Sequence, residues 1–365
     1  MKNIAVLGCT GSIGKTTLSV LRKYREDFHV VLLANFSREN ELNLLKKDFP
    51  EANTFCYSVS EDKEFLSRPE TYENVDIVVN GIAGIAGLLP SYAVLSAGKI
   101  LATANKESLV CAGSLLTSVM QKTGAKIYPL DSEHSAVWQC LEKARTEDVK
   151  KIVLTASGGA FRNLSKEELI SASASLALKH PNWNMGPKVT VDCATLVNKG
   201  MEIIEAKRLF GIENVTAVRH DESIVHALVE TKDNSFLAAL SSPDMTLPIQ
   251  YALFYPERRE CDIPALSVEK LACLHFSEID RERFPGFTLC LKASDRGDMG
   301  GTVLNAADEV LVNAYLADKT TFYGITDGIG DALNKFSYTG DFTDIGDVMR
   351  MDKEVREYIL SEHGV

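Results

Sequence analysis

A chain of 365 residues is long enough for two or three domains with sizeable apolar cores. Its formal net charge of −11 excludes general binding to nucleic acid or to an anionic membrane, so any phosphate site must be a local basic pocket. The eight cysteines include no C-x-x-C pair, which argues against a zinc knuckle or disulfide framework and for a reducing cytoplasm. The first residues enter a strand directly, with no basic leader, and no apolar run is long enough to span a bilayer.

Asn3 to Gly8 reads as a buried strand, followed by a Gly-rich turn and a helix through Tyr24. Glycines at 8, 11 and 14 let backbone N–H groups of the turn approach a diphosphate at the helix N-terminus. Gly14-Lys15-Thr16 resembles the end of a P-loop, but that motif needs glycine at position 9, where Cys9 stands. A dinucleotide is therefore the better reading. The second strand, His29 to Ala34, ends in Asn35-Phe36-Ser37-Arg38. An NAD site usually has an acid here for the ribose 2′-hydroxyl; its absence, with Arg38 close by, favours the 2′-phosphate of NADP. Ser37 can also serve as the N-cap of the next helix.

Strands near 54–58, Val75–Asn80, Lys99–Thr103 and Lys126–Leu130 alternate with helices near 85–97 and from Glu107. That rhythm predicts a doubly wound, Rossmann-type parallel sheet whose strand ends carry the ligand. Asn105-Lys106-Glu107 and Asp131-Ser132-Glu133 fall at such ends. Asp131 and Glu133, two apart on a strand end, are expected to point the same way. A solvated Lys106 and an Asp131 that merely caps a helix are the plainer alternatives.

Beyond residue 150 the pattern becomes α+β. A strand at Lys151–Ala156 runs into Ser157-Gly158-Gly159, a small-residue turn able to bind an anion. Ser165 to Glu168 is a capping box. His180-Pro181-Asn182-Trp183-Asn184-Met185-Gly186 reads as a lid loop with an aromatic face, unless Trp183 simply packs in the core. Asn198, Lys199 and Glu202 lie within about one helical turn and can face one small polyanion. Glu202 would join Asp131 and Glu133 in an all-oxygen site of the kind hard divalent cations prefer. Strands at about 216–220, 225–231 and 235–240 look antiparallel by alternation, 261–283 reads as a linker, and the remainder forms a small helical bundle.

With these residues in view, the sequence resembles the 1-deoxy-D-xylulose 5-phosphate reductoisomerase family over nearly its whole length. The likeness rests on the motifs at 8–14, 104–110, 131–136, 155–161, 180–186 and 198–202, and on Asn305 to Glu309. It implies an NADPH- and metal-dependent enzyme and a homodimer, with a cofactor domain at 1–130, a catalytic and dimerising domain at 131–262, a linker at 263–283 and a helical domain at 284–365. By resemblance, Asp131, Glu133 and Glu202 hold Mg²⁺ or Mn²⁺, while Ser132 and Lys106 hold substrate oxygens beside it. Ser157, Asn198 and Lys199 bind the phosphate, His180 closes over it, and Thr10, Gly11, Ser12, Ile13, Asn105, Glu107 and Gly186 contact NADPH. Asn35-Phe36-Ser37 departs from the Gly-Lys-Asn or Gly-Gly-Ala that the family often has, so the expected 2′-phosphate contacts of Asn35, Ser37 and Arg38 and the substrate cover by Trp183 rest on the residues themselves. Cys193 departs from the family, which usually has a phosphate-binding serine there. An NADP-dependent sugar-phosphate or semialdehyde dehydrogenase is the rival reading, but it would not need three carboxylates. A non-catalytic NADP-binding regulator is another.

Overall fold

The structure, a computed structural model, describes residues 1–179, 182–183 and 185–365. The chain forms two compact units. The first comprises Met1–Ser108, Leu116–Ser135 and Asp244–Ile263; the second comprises Leu109–Leu115, Ala136–Pro243 and Pro264–Val365.

The first unit is built on six parallel strands: β1 (Lys2–Leu7), β2 (Phe28–Asn35), β3 (Asn53–Cys56), β4 (Ile77–Asn80), β5 (Ile100–Thr103) and β6 (Lys126–Pro129). Their order is β3-β2-β1-β4-β5-β6. Runs such as Ile4 to Leu7 and Ile77 to Asn80 are buried throughout, as expected for strands covered on both faces. The helix Ser12–Lys23 follows β1 and buries Leu18, Val20 and Leu21. The helix Thr246–Phe254, far along the chain, completes this unit: Phe254 sets its ring edge-on to Tyr24 and Phe28, with centroids 4.8 and 4.9 Å apart. The strand order reverses between β1 and β4, and the crevice at such a reversal is where doubly wound sheets bind ligands. The α/β reading holds. One local expectation does not: the helix after β2 begins at Glu39 with Arg38, not Ser37, in the N-cap position.

The second unit carries a four-stranded sheet of β7 (Val149–Ala156), β8 (Val215–Arg219), β9 (Val225–Thr231) and β10 (Phe236–Leu240), in the order β10-β9-β7-β8. β9 is antiparallel to both β7 and β10, but β8 runs parallel to β7. The expected antiparallel direction of that strand is corrected. Alternation fixes which side chains share a face, not which way a strand runs. The helices Pro187–Thr195 and Val197–Phe210 supply the long crossover that a parallel partner needs. The helices Pro285–Ser294, Gly297–Leu316, Phe322–Lys335 and Ile345–His363 pack as the C-terminal bundle around buried Phe287, Tyr315 and Phe322. Phe161 meets Phe322 edge-on at 5.3 Å.

Asp298 is buried in this unit, 2.9 Å from Arg208 and accepting from the backbone N–H of Ser114. Burial outweighs these partners and pushes its carboxyl up from the ordinary 3.8 to about 6. The folded chain thus holds this proton more tightly than the unfolded chain does. The resulting stability is full below about pH 4 and is lost as pH rises towards about 6. Asp298→Asn keeps a neutral group there. Its stability relative to the parent should therefore improve between about pH 4 and about pH 7, by at most about 3 kcal/mol. Urea melts of both proteins across that range check this, and a pH-independent difference would contradict it.

Candidate active site

The turn after β1 leaves no room for a side chain at Gly8 or Gly14. Gly8 has φ +73, and a β-carbon on it would lie 2.6 Å from the carbonyl oxygen of Gly81, on the loop after β4. A β-carbon on Gly14 would come within 2.3 Å of Gly8 O, so the helix can pack this closely only as glycine. Gly11 is the N-cap and offers no capping side chain. The N-cap side chain therefore does not occupy the helix N-terminus, the end of a helix that favours an anion. Arg38 donates to Thr10 O at 3.0 Å, so the cation from the end of β2 sits over the glycine turn. The Asn35 amide instead donates to Arg38 O at 2.8 Å, fixing the backbone that carries that arginine.

Asn105 is wholly buried at the N-cap of the helix Lys106–Thr123. Its amide nitrogen donates to Ile82 O and Gly84 O, both at 2.8 Å, and its side-chain oxygen accepts from Ser108 N. It therefore fastens the β4 loop to the end of β5. Lys106, next in sequence and almost fully buried, places Nζ 2.7 Å from Asp131. Ser132 Oγ donates to Glu133 at 2.6 Å. The sequence reading of Asp131 and Glu133 as strand neighbours is corrected: β6 stops at Pro129 and a helix starts at Ser132. Asp131 precedes that helix and accepts Ser135 N–H through its backbone carbonyl, while Glu133 lies in the first helical turn. Helical geometry, not strand alternation, sets their directions.

In the second unit, Gly159 at φ +65 lies against the backbone of Cys193, where a β-carbon would meet Cys193 O at 2.5 Å. The Ser157 turn is thereby seated on the end of the helix Pro187–Thr195. Leu196, at φ 59, separates that helix from Val197–Phe210, whose first turns carry Asn198, Lys199 and Glu202, all buried. The Lys199 ammonium pairs with the Glu202 carboxylate, which also accepts from the Asn198 amide. This cluster combines a fixed cation, an amide and a helix N-terminus, three groups that favour an anion.

Trp183 is half-buried, its ring 6.2 Å from that of His226. Asn182 donates to Asp221 O and to Ser223 Oγ at 2.8 and 2.9 Å. His180 lies outside the described residues. Gly186 is the N-cap of the following helix. Sequence reasoning missed Ser223, a non-glycine residue at φ 53 whose hydroxyl anchors the Trp183 segment. It also missed Lys188, which bridges Asp192 at 2.6 Å and Asp308 at 2.7 Å, both carboxylates being buried. The second omission had a signal: Lys188 and Asp192 are four apart on one helix, and Asp308 belongs to the 305–309 motif.

Known proteins resemble this chain along nearly its whole length. The profile of 1-deoxy-D-xylulose 5-phosphate reductoisomerase covers residues 4–113, that of its C-terminal domain covers 127–210, and that of the DXP reductoisomerase C-terminal domain covers 240–358. The 1-deoxy-D-xylulose 5-phosphate reductoisomerase of Clostridium botulinum (strain Loch Maree / Type A3) is 42% identical, with 100% of both chains covered. That of Desulforamulus reducens is 41% identical over 98% of this chain and 97% of its own. A crystal structure of DOX-P reductoisomerase in complex with NADPH, fosmidomycin and magnesium superimposes with a TM-score of 0.93 at 35% identity, covering 100% of this chain and 98% of that one. The Zymomonas mobilis enzyme in complex with NADPH gives 0.87 at 32% identity, covering 99% of each. This chain belongs to the 1-deoxy-D-xylulose 5-phosphate reductoisomerase family.

Proposed function

We propose that this chain converts 1-deoxy-D-xylulose 5-phosphate to 2-C-methyl-D-erythritol 4-phosphate, using NADPH and a divalent metal ion. The observation that carries the reading is full-length kinship at 42% identity with enzymes of that name. A simple dehydrogenase is not favoured, because it would share the glycine turn but not the acidic and phosphate motifs. The glycine turn at 8–14, whose close backbone packing leaves no space for a β-carbon at Gly8 or Gly14, fits the diphosphate of NADPH. The oxygen-donor set Asp131, Glu133 and Glu202 fits Mg²⁺ or Mn²⁺.

The reaction breaks and remakes a carbon–carbon bond, by retro-aldol then aldol steps, and reduces the resulting branched aldehyde. When bound, the metal ion supplies Lewis-acid polarisation of the substrate's carbonyl and adjacent hydroxyl oxygens. NADPH supplies the hydride. The chain's own residues orient and shield. Lys106, held by Asp131, presents a fixed ammonium where negative charge develops on substrate oxygen. Ser132 donates to the substrate's oxygens. Ser157, Asn198 and Lys199 grip the phosphate far from the reacting carbons, with Cys193 alongside as a weaker donor than serine. His180 and Trp183 cover the substrate and exclude water from an enolate that would otherwise be protonated. Arg38 faces the 2′-phosphate, with Asn35 and Ser37 beside it, and Thr10 to Ile13, Asn105, Glu107 and Gly186 contact the cofactor.

The functional division follows as a cofactor part at 1–130, a catalytic part at 131–262, a linker at 263–283 and a helical part at 284–365. A homodimer in the cytoplasm is proposed on the same kinship. Among the described residues no helix is long and apolar enough to cross a membrane.

NADPH oxidation with 1-deoxy-D-xylulose 5-phosphate, with and without EDTA, tests the assignment directly: turnover should require both the sugar phosphate and the metal. Asp131→Asn, Glu133→Gln and Glu202→Gln should each abolish turnover at saturating Mg²⁺ while NADPH binding, followed by fluorescence titration, stays nearly intact. A variant keeping most of its activity would remove that residue from the ligand set. NADPH should be preferred to NADH by at least about tenfold in kcat/KM, roughly 1.4 kcal/mol, and Arg38→Ser should erase most of that preference. Equal efficiency of the two cofactors with the parent chain would contradict the 2′-phosphate assignment.

A further inference from the structure

Of the eight cysteines, five are buried, Cys193 and Cys261 are half-buried, and Cys273 is exposed. Burial makes a thiol inert, as at Cys9, pushed up to about 12 by desolvation. Cys273 differs in what it touches. Its Sγ lies 3.3 Å from Nε2 of His275, and Nδ1 of that ring lies 2.6 Å from Glu222 Oε1. A carboxylate can only accept, so the ring's proton sits on Nδ1 and Nε2 faces the sulfur as an acceptor. Burial works to raise the Glu222 carboxyl, but the hydrogen bond from His275 and the nearby His220 hold it below the usual carboxylate range.

The segment that carries these groups is fixed. Arg219 and Ser277 exchange backbone hydrogen bonds of 2.8 and 3.0 Å. Phe276 stacks on His220 with centroids 4.7 Å apart, and His220 Nδ1 donates to His275 O at 2.9 Å. His220 Nδ1 also lies 3.1 Å from Glu222, while Arg219 is engaged by Asp221 at 2.5 Å. An open cleft of about 440 Å³, lined by Arg219, Asp221, Glu222, His275 and Ser277, adjoins the imidazole. That is space for a small peptide-sized molecule.

We propose that Cys273 is a thiol–disulfide exchange site that takes up a small-molecule disulfide through the chain Cys273–His275–Glu222. His275 Nε2 accepts the thiol proton and Sγ attacks one sulfur of the disulfide. A new S–S bond forms as the old one breaks, and the departing thiolate takes the proton from the imidazolium. Cys273 is oxidised to a mixed disulfide, and the other half of the reagent leaves reduced. None of Cys273, His275 and Glu222 is among the residues assigned to substrate, metal or NADPH.

The test uses the full-length protein with oxidised glutathione and, separately, with 5,5′-dithiobis(2-nitrobenzoate). Peptide mass mapping identifies the modified cysteine, and circular dichroism confirms that each variant is folded. Cys273 should be modified first, at least about tenfold faster than Cys193 or Cys261 at neutral pH. His275→Gln should slow that reaction at least about fivefold near pH 7, and the gap should close near pH 10, where thiols ionise unaided. Glu222→Gln should also slow it, and carries the test if His275→Gln does not fold. Rates at Cys273 unchanged in these variants, or first modification at Cys193 or Cys261, would overturn the proposal.

Discussion

The tightest constraint in the first unit is the approach of three backbone segments around Gly8. The β1 turn, the loop after β4 and the start of the first helix meet there with carbonyl oxygens where β-carbons would otherwise stand. This approach allows the sheet order to reverse between β1 and β4 while a helix N-terminus closes one side of the crevice. Asn105 provides the complementary restraint, spending both donors of its amide on the β4 loop. A buried amide with its donors satisfied specifies one loop geometry, because every alternative leaves a polar group unpaired at a cost of about 1–3 kcal/mol. Lys106 follows directly, so its position is inherited from a cap.

The second unit depends on buried charge. Lys188 joins two carboxylates from helices 187–195 and 297–316, and Asp308 is raised because burial opposes its ionisation more than Lys188 supports it. Such networks are weak sources of net stability, since desolvating the ions offsets most of their attraction. Their consequence is registry: the helix start at Pro187 is tied to Asp308 of the 305–309 motif. That helix ends at Thr195, beside the Leu196 turn, so the tie reaches the segment carrying Asn198 and Lys199.

Different parts of this architecture were legible in the sequence for different physical reasons. Continuous apolar runs separated by helices identified the parallel sheet, because burial on both faces leaves a pattern in composition. The β8 direction was not legible, because its alternation is compatible with either hand of pairing and only the crossover decides. Asp131 and Glu133 were singled out by residue type and place, but the strand rule applied to them was wrong. Proline at 129 ends the strand before either residue is reached. Ser223 escaped because a serine at positive φ looks like any other serine in a sequence. The Cys273–His275–Glu222 contact escaped for a related reason, since 53 positions separate Glu222 from His275.

An acidic chain can hold an anion only if its local cations stay charged and in place, and Lys199 is a buried cation kept in place by a partner. Its side chain is almost entirely out of water, where an unpaired ammonium would be strongly disfavoured. Glu202, one turn along the same helix, supplies the counter-charge, and Asn198 satisfies the other carboxylate oxygen. Removing one partner of such a pair leaves the other uncompensated, a change worth about 3–5 kcal/mol. In the function proposed above, Glu202 carries two duties, as an oxygen donor and as the anchor of Lys199. Asp131 and Glu133 are less buried than Glu202. Substitution of those two isolates the chemistry of the carboxylate, whereas substitution of Glu202 also disturbs the grip on the phosphate. A larger rise in the Kd for the sugar phosphate, read by equilibrium binding, at Glu202→Gln than at Glu133→Gln is the form that this difference in burial takes.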